Sequence, residues 1–152
     1  MGSFPDVAAL APHQGPMRLL GAVLTHSPAE TICSVDLEGS GLFRGADGSV
    51  PAFVALEYMA QCAAVHAGLA ARAGWRAPEA ALLLGSRRLR LAVDRFPAGQ
   101  RLRVSARHQR GESGLVLFEC AVRDEASGRT LAQGRLSLYT VAPGDSLEEL
   151  PS

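Results

Sequence analysis

The sequence predicts an α+β domain in which a curved antiparallel sheet wraps around one buried helix. Three observations predict it. Residues 51–74 form a run that is apolar nearly all round, which suits a helix buried on most sides. Two strand-like stretches precede that run and four follow it. The later stretches alternate apolar with charged residues, the pattern of antiparallel strands wetted on one face. A single buried helix set among six strands packs most simply inside the curve of their sheet.

Each element has a local reason. Asp6 can cap a short turn that Pro12 ends. Residues 18–25 (RLLGAVLT) read as a strand, and residues 31–37 (TICSVDL) alternate as one. Residues 38–50 are rich in Gly and Ser and read as a loop. Pro51 opens the helix, because its missing N–H would have no intrahelical partner in the first turn. Gly74 closes it. Strands are expected over 81–91, 101–110, 115–125 and 130–141. Turn residues at 111–114 and 126–128 join the later ones as hairpins.

At 152 residues the chain makes about one domain. Residues 1–142 are expected to form it, with 143–152 as a polar tail. Fifteen basic and fifteen acidic residues cancel, which argues against general affinity for nucleic acid. All the basic residues are Arg. Without Lys there is no Walker lysine and no Schiff base. Cys33, Cys62 and Cys120 are far apart, form no C-x-x-C pair, and suit buried thiols in a reducing compartment. The most apolar stretch is interrupted by Glu57, Gln61 and His66, so no uninterrupted membrane span is expected. The N-terminus lacks a basic region followed by an apolar run. A cytoplasmic protein without a signal peptide is the expectation.

Glu57 is the first candidate for chemistry. It stands in the apolar helix beside Phe53, Val54, Leu56, Tyr58 and Met59. Burial raises a carboxyl pKa, and a carboxyl tuned toward neutrality is what a general acid needs. Gln61, one turn later, can hydrogen-bond it. A Glu at the helix's wet rim, or one paired with Arg, fits the pattern equally well. His13 lies between Pro12 and Pro16, which hold its segment extended. Taken alone, it reads as a loop histidine bonded to backbone. His26, His66 and His108 read as structural or surface residues, with His108 in a solvated, Arg-rich strand. The histidine spacing offers no close ligand pair, so no metal is expected. Cys62 reads as an inert buried thiol. The turn Gly45–Ser49 leads into the helix, where the N–H groups of Ala52 and Phe53 could polarise a carbonyl. Arg87, Arg88 and Arg90 begin a basic cluster that continues through Arg95, Arg101, Arg103 and Arg107. It reads as a solvated sheet face or as a dock for phosphate or an acidic partner.

Three segments together resemble the 3-hydroxyacyl-acyl-carrier-protein dehydratases, which have the hot-dog fold. They are Ala-Pro-His-Gln-Gly-Pro-Met at 11–17, Leu-Phe-Arg-Gly at 42–45, and Pro-Ala-Phe-Val-Ala-Leu-Glu-Tyr-Met-Ala-Gln at 51–61. The likeness covers nearly the whole chain. It implies that Glu57 is the catalytic acid. One departure matters: the family places its catalytic His directly after the Gly of the second segment, and here Ala46 follows Gly45. The sequence therefore resembles a divergent subgroup lacking that His, one associated with specialised acyl chains such as aryl polyenes. The resemblance implies a homodimer or a heterodimer with another hot-dog subunit. It also implies an acyl carrier protein or coenzyme A thioester as substrate, with no cofactor. Removal of water from a 3-hydroxyacyl thioester is then the expected reaction, with His13 as the favoured base and Glu57 itself, Asp47 or a histidine of a partner subunit as the alternatives. Gly45, Ala52, Phe53 and Gln61 would line the substrate site, and Arg87, Arg88 and Arg90 would steer an acidic carrier. The alternatives are a non-catalytic hot-dog subunit that supports an active one, and an acyl thioesterase.

Overall fold

The computed structural model describes residues 19–37, 43–72, 80–110 and 115–141. Strands β1 (Val23–His26) and β2 (Glu30–Asp36) come first. The two-residue β3 (Val50–Pro51) and a 3-10 turn (Ala52–Val54) lead into helix α1 (Ala55–Arg72). Then follow β4 (Ala80–Leu91), the two-residue β5 (Arg95–Phe96), β6 (Arg101–Arg110), β7 (Leu115–Asp124) and β8 (Thr130–Val141). One six-stranded antiparallel sheet has the order β1-β2-β6-β7-β8-β4, and β3 pairs with β5 beside it. The expected turn after Asp6, the 111–114 hairpin turn, the end of the helix at Gly74 and the tail at 143–152 lie outside the described residues.

Alternation decides which face of the sheet α1 covers. Leu102, Val104 and Ala106 of β6 are fully buried, while Arg101, Arg103 and Arg107 between them are exposed. Cys33 and Val35 of β2, Phe118 and Val122 of β7, and Leu136 of β8 join the buried face. Helix α1 packs on it through Met59, Cys62, Ala63 and Val65, all buried. Each large apolar side chain enclosed this way stabilises the fold by about 1.5–3 kcal/mol. The stretch Ala52–Ala70, though interrupted by Glu57, Gln61 and His66, is long and apolar enough to cross a membrane by length and composition. Its only charge is Glu57, and the sheet covers it, so it serves as the core helix.

Three further differences have physical causes. Strand β1 is shorter than residues 18–25: Gly21 and Ala22 still bond Ser34 of β2, but the Ala22 N–H goes to the Ser34 hydroxyl, and regular pairing begins only at Val23. The helix does not begin at Pro51. That residue is extended (φ −58°, ψ 137°) and belongs to β3, because it pairs across to Arg95. His108 follows Leu102, Val104 and Ala106 in parity and so turns toward α1, not toward water.

There the histidine rings pack together. His66 is buried, stacked on His108 with ring centroids 5.8 Å apart, and edge-on to Phe118 at 5.7 Å. Nδ1 of His26 and Nδ1 of His66 lie 2.7 and 2.8 Å from Oγ1 of the fully buried Thr31. One hydroxyl proton serves one ring, so the other ring must donate to Thr31. Burial, and then the neighbouring His26 and His108, push the His66 pKa down from 6.5 to about 4. A histidine held neutral in the fold gives stability that is complete above its unfolded pKa and is lost as pH falls toward its folded one. Acidification from about pH 7.5 to about pH 4.5 should therefore remove about 2 kcal/mol through His66. Urea unfolding at both pH values measures it. His66→Gln should be less stable at the upper pH but should lose less on acidification than the parent chain.

Candidate active site

The first turns of α1 carry the site. Glu57 is half-buried there, so the protein's own fold does not enclose it as fully as its apolar neighbours suggested. Gln61, four residues on, is fully buried. Its Nε2 donates to Oε1 of Glu57 at 3.1 Å, and its Oε1 accepts the Leu19 N–H at 2.9 Å. The expected Glu57–Gln61 contact is therefore present, and Gln61 also ties the chain entering β1 to the helix. Beside them Tyr58 is buried against Phe96, ring centroids 6.2 Å apart. Burial pushes the Tyr58 pKa up to about 12, so its phenol stays neutral.

A locked turn leads into the helix. The Gly45 N–H donates to the Ser49 carbonyl at 2.8 Å, and the Gly48 N–H to the Gly45 carbonyl at 3.0 Å. Asp47 Oδ1 accepts from the Ser49 N–H at 3.0 Å and from the Ser49 hydroxyl at 2.7 Å. Arg95 closes the turn from β5, its Nε donating to Ser49 Oγ at 2.6 Å and its Nη2 to the Ser49 carbonyl at 3.2 Å. Arg44 donates to the carbonyls of Leu37 and Gly48. The bonds from Ser49 hold the Asp47 carboxyl below its usual pKa. An acid so occupied is a weaker proton acceptor than a free one. Gly45 sits where a Cβ would meet Arg95 Nη2 at 2.9 Å, so its place is explained by the clamp. Ala46 is exposed at the turn's tip.

The helix entrance differs from expectation. The Ala52 N–H is engaged with the Asp94 carbonyl at 2.9 Å and is not available to a substrate carbonyl. Phe53, in the same turn, is 64% exposed, and its N–H remains the candidate donor. Cys62 is enclosed, and its contact with Cys33 and then burial push its pKa well up, as an inert thiol requires. Arg87 and Arg90 pair across the sheet with Arg135 and Gln133, on the face opposite α1. The sheet thus separates the basic cluster from Glu57. Arg95 does not belong to that cluster at all. His13 lies outside the described residues. Among the described residues no group of His, Cys, Asp and Glu is arranged to hold a metal ion. The roles of Ser49, Arg95 and the Leu19 N–H were not foreseen. Each depends on a partner 42 or 46 positions away, and the sequence carries no local sign of it.

A long helix held in the curve of an antiparallel sheet, with a carboxylate in its first turns, is the hot-dog fold. Solved structures agree. The dehydratase heterocomplex ApeI:P from Xenorhabdus doucetiae matches with a TM-score of 0.81 and 28% identity, over 92% of this chain and 93% of that one. Zebra fish thioesterase superfamily member 2 matches with a TM-score of 0.68 and 14% identity, over 88% and 92%. AziG from S. sahachiroi matches with a TM-score of 0.62 and 14% identity, over 81% and 91%. No curated protein matches the sequence. The family model for the ApeP-like proteins, described as ApeP dehydratase, matches residues 5–150, and the chain belongs to that family.

The locked turn makes a prediction. Gly48 has φ +81°, and a Cβ there would come within 2.9 Å of the Ala98 methyl. Gly48→Ala should lower stability by about 2 kcal/mol, through the left-handed backbone and the clash together. Thermal unfolding measures it, and Gly99→Ala is the comparison, since it has φ +78° but open space around it. The difference between the two variants isolates the contact.

Proposed function

We propose that the protein is a dehydratase subunit acting on 3-hydroxyacyl thioesters, with Glu57 as its acid, in complex with a second hot-dog subunit. The observation that carries the reading is Glu57 held by a buried Gln61 at the start of the core helix, in a chain of the ApeP-like family. The reaction is a β-elimination. A base takes the α-proton, the thioester carbonyl stabilises the charge, and the electron pair forms the 2,3 double bond. The C3–oxygen bond breaks as Glu57 protonates the leaving hydroxyl, and water departs. A positioned acid of this kind contributes about 10²–10⁴ in rate. Gln61 donates to one carboxyl oxygen and so fixes the direction in which the other faces.

His13 is the base in this reading. Its segment joins the chain at Leu19, whose N–H is bonded to the same Gln61 that holds Glu57. Six residue steps separate them, so His13 can lie no farther than about 20 Å from Leu19 and is within reach of the helix start. Phe53 offers an N–H to the thioester carbonyl. The carrier is an acyl carrier protein or coenzyme A. Free, buried Cys33, Cys62 and Cys120 suit a cytoplasmic setting.

The match to a dehydratase heterocomplex favours a second reading, in which this chain supports an active partner subunit. One assay separates the two. The purified protein, alone and with a second hot-dog subunit, is incubated with a 3-hydroxyacyl carrier-protein thioester, and enoyl product and free thiol are followed together. Glu57→Gln should reduce enoyl formation about a hundredfold or more, and His13→Ala comparably. Turnover that needs the partner and is indifferent to Glu57→Gln would assign the chemistry to the partner. Free thiol without enoyl product would make the protein a thioesterase.

A further inference from the structure

We infer that the outer face of the sheet, opposite α1, is a docking surface for an acidic segment of a partner protein. The register builds a trough there. Ser105, Ala121 and Gln133 stand side by side on β6, β7 and β8 and form its floor. The next row toward the 119 side runs Glu30, Arg107, Glu119, Arg135 across β2, β6, β7 and β8. Arg123 closes the other side, with its Nη1 3.5 Å from Ser105 Oγ. Arg88 and Arg90 of the edge strand β4 stand at the end. The trough has a volume of about 400 Å³ and is lined by five arginines against two glutamates. It concentrates three positive charges in a chain whose net charge is zero.

Two details separate this from an ordinary solvated face. Among the described residues, Arg88, Arg90, Arg107 and Arg123 make no ion pair, while Arg135 is bound to Glu119 at 2.5 Å. The edge strand is also bent to present its arginines. The β4–β8 register shifts between Arg87 and Arg90, and Arg88 is held at φ +56°, a conformation that costs a non-glycine residue about 1–2 kcal/mol. Gly134 makes room for the bulge, since a Cβ there would meet Leu89 at 3.3 Å. Bulges commonly re-aim a side chain at a sheet edge.

The charge pattern selects the occupant. Glu30 and Glu119 stand among the arginines and repel a compact polyanion such as a phosphate cluster. Arginines spread over β6, β7 and β4 instead fit carboxylates spaced along a protein segment. Successive strands lie about 4.8 Å apart, so the span from β6 to β4 is about 14 Å, or some ten residues of helix. The sheet lies between this trough and Glu57. A partner seated here is therefore held for assembly and does not deliver substrate, which carries the inference beyond the dehydratase reading.

The test uses a fluorescent, glutamate-rich helical peptide as probe and the full chain as receptor. Anisotropy should show binding that weakens with salt. Arg88→Glu with Arg90→Glu should weaken it about tenfold, and Arg107→Glu with Arg123→Glu should do the same. Arg101→Glu with Arg129→Glu changes net charge equally outside the trough and should change affinity less than about twofold. The inference fails if the wild-type chain does not bind the peptide, or if all three pairs weaken binding alike. Tripolyphosphate that binds more tightly than the peptide, and is lost in the same variants, would also overturn it in favour of a small-anion site. None of these readouts depends on dehydratase activity.

Discussion

A fully buried side-chain amide must satisfy an acceptor and a donor at once, and Gln61 does so with two parts of the chain that are far apart in sequence. Its oxygen takes the Leu19 N–H, and its nitrogen serves Glu57. An unmet polar group in that position would cost about 1–3 kcal/mol, so the amide fixes both neighbours more firmly than an exposed bond could. The entry into β1, the orientation of the acid and the packing of α1 are thus one decision. Between that bond and β1, Gly21 and Ala22 are bonded to Ser34 of β2, so the entering chain is tied to the helix at one point and to the sheet two residues later.

The turn before the helix obeys a similar logic with charge in place of burial. Arg95 and Asp47 both converge on Ser49, one by donating and the other by accepting. The carboxylate is engaged in that network, and the bonds from Ser49 favour its anionic form. The turn is therefore a hydrogen-bonded frame for the helix start. In the proposed dehydratase reaction the base is His13, six positions before the Leu19 N–H that Gln61 holds.

Much of this was legible in the sequence because it depends on periodicity. The alternation in β6 and the continuous apolar run of α1 fix which faces are buried, and the fold follows from them. The Glu57–Gln61 contact is an i, i+4 neighbour pair and needed no tertiary information. What escaped the sequence is long-range. The β3–β5 pair is two residues on each side, too short for any pattern to show. The loss of the Ala52 N–H to Asp94 follows from that pairing. His108 was misplaced because the arginines around it suggested solvent, although its own parity matched the buried positions. The Arg cluster was visible, but not the face it occupies, since that depends on the register of β4 against β8.

The two faces of the sheet now divide the molecule's work. One face closes on α1, with apolar residues, a His66 whose pKa burial depresses, and the Cys62 and Cys120 thiols, whose pKa values are raised by the Cys33 contact and by burial respectively. It tolerates one carboxylate, and only at the helix start where solvent still reaches it. The other face gathers arginines and tolerates strain at Arg88 to do so. In a chain with balanced charge that segregation is not a consequence of composition. Strand alternation requires polar residues outside, but it requires neither an excess of arginines over the glutamates that stand among them nor a left-handed arginine on the edge strand. The acidic docking surface proposed for this face would account for both features.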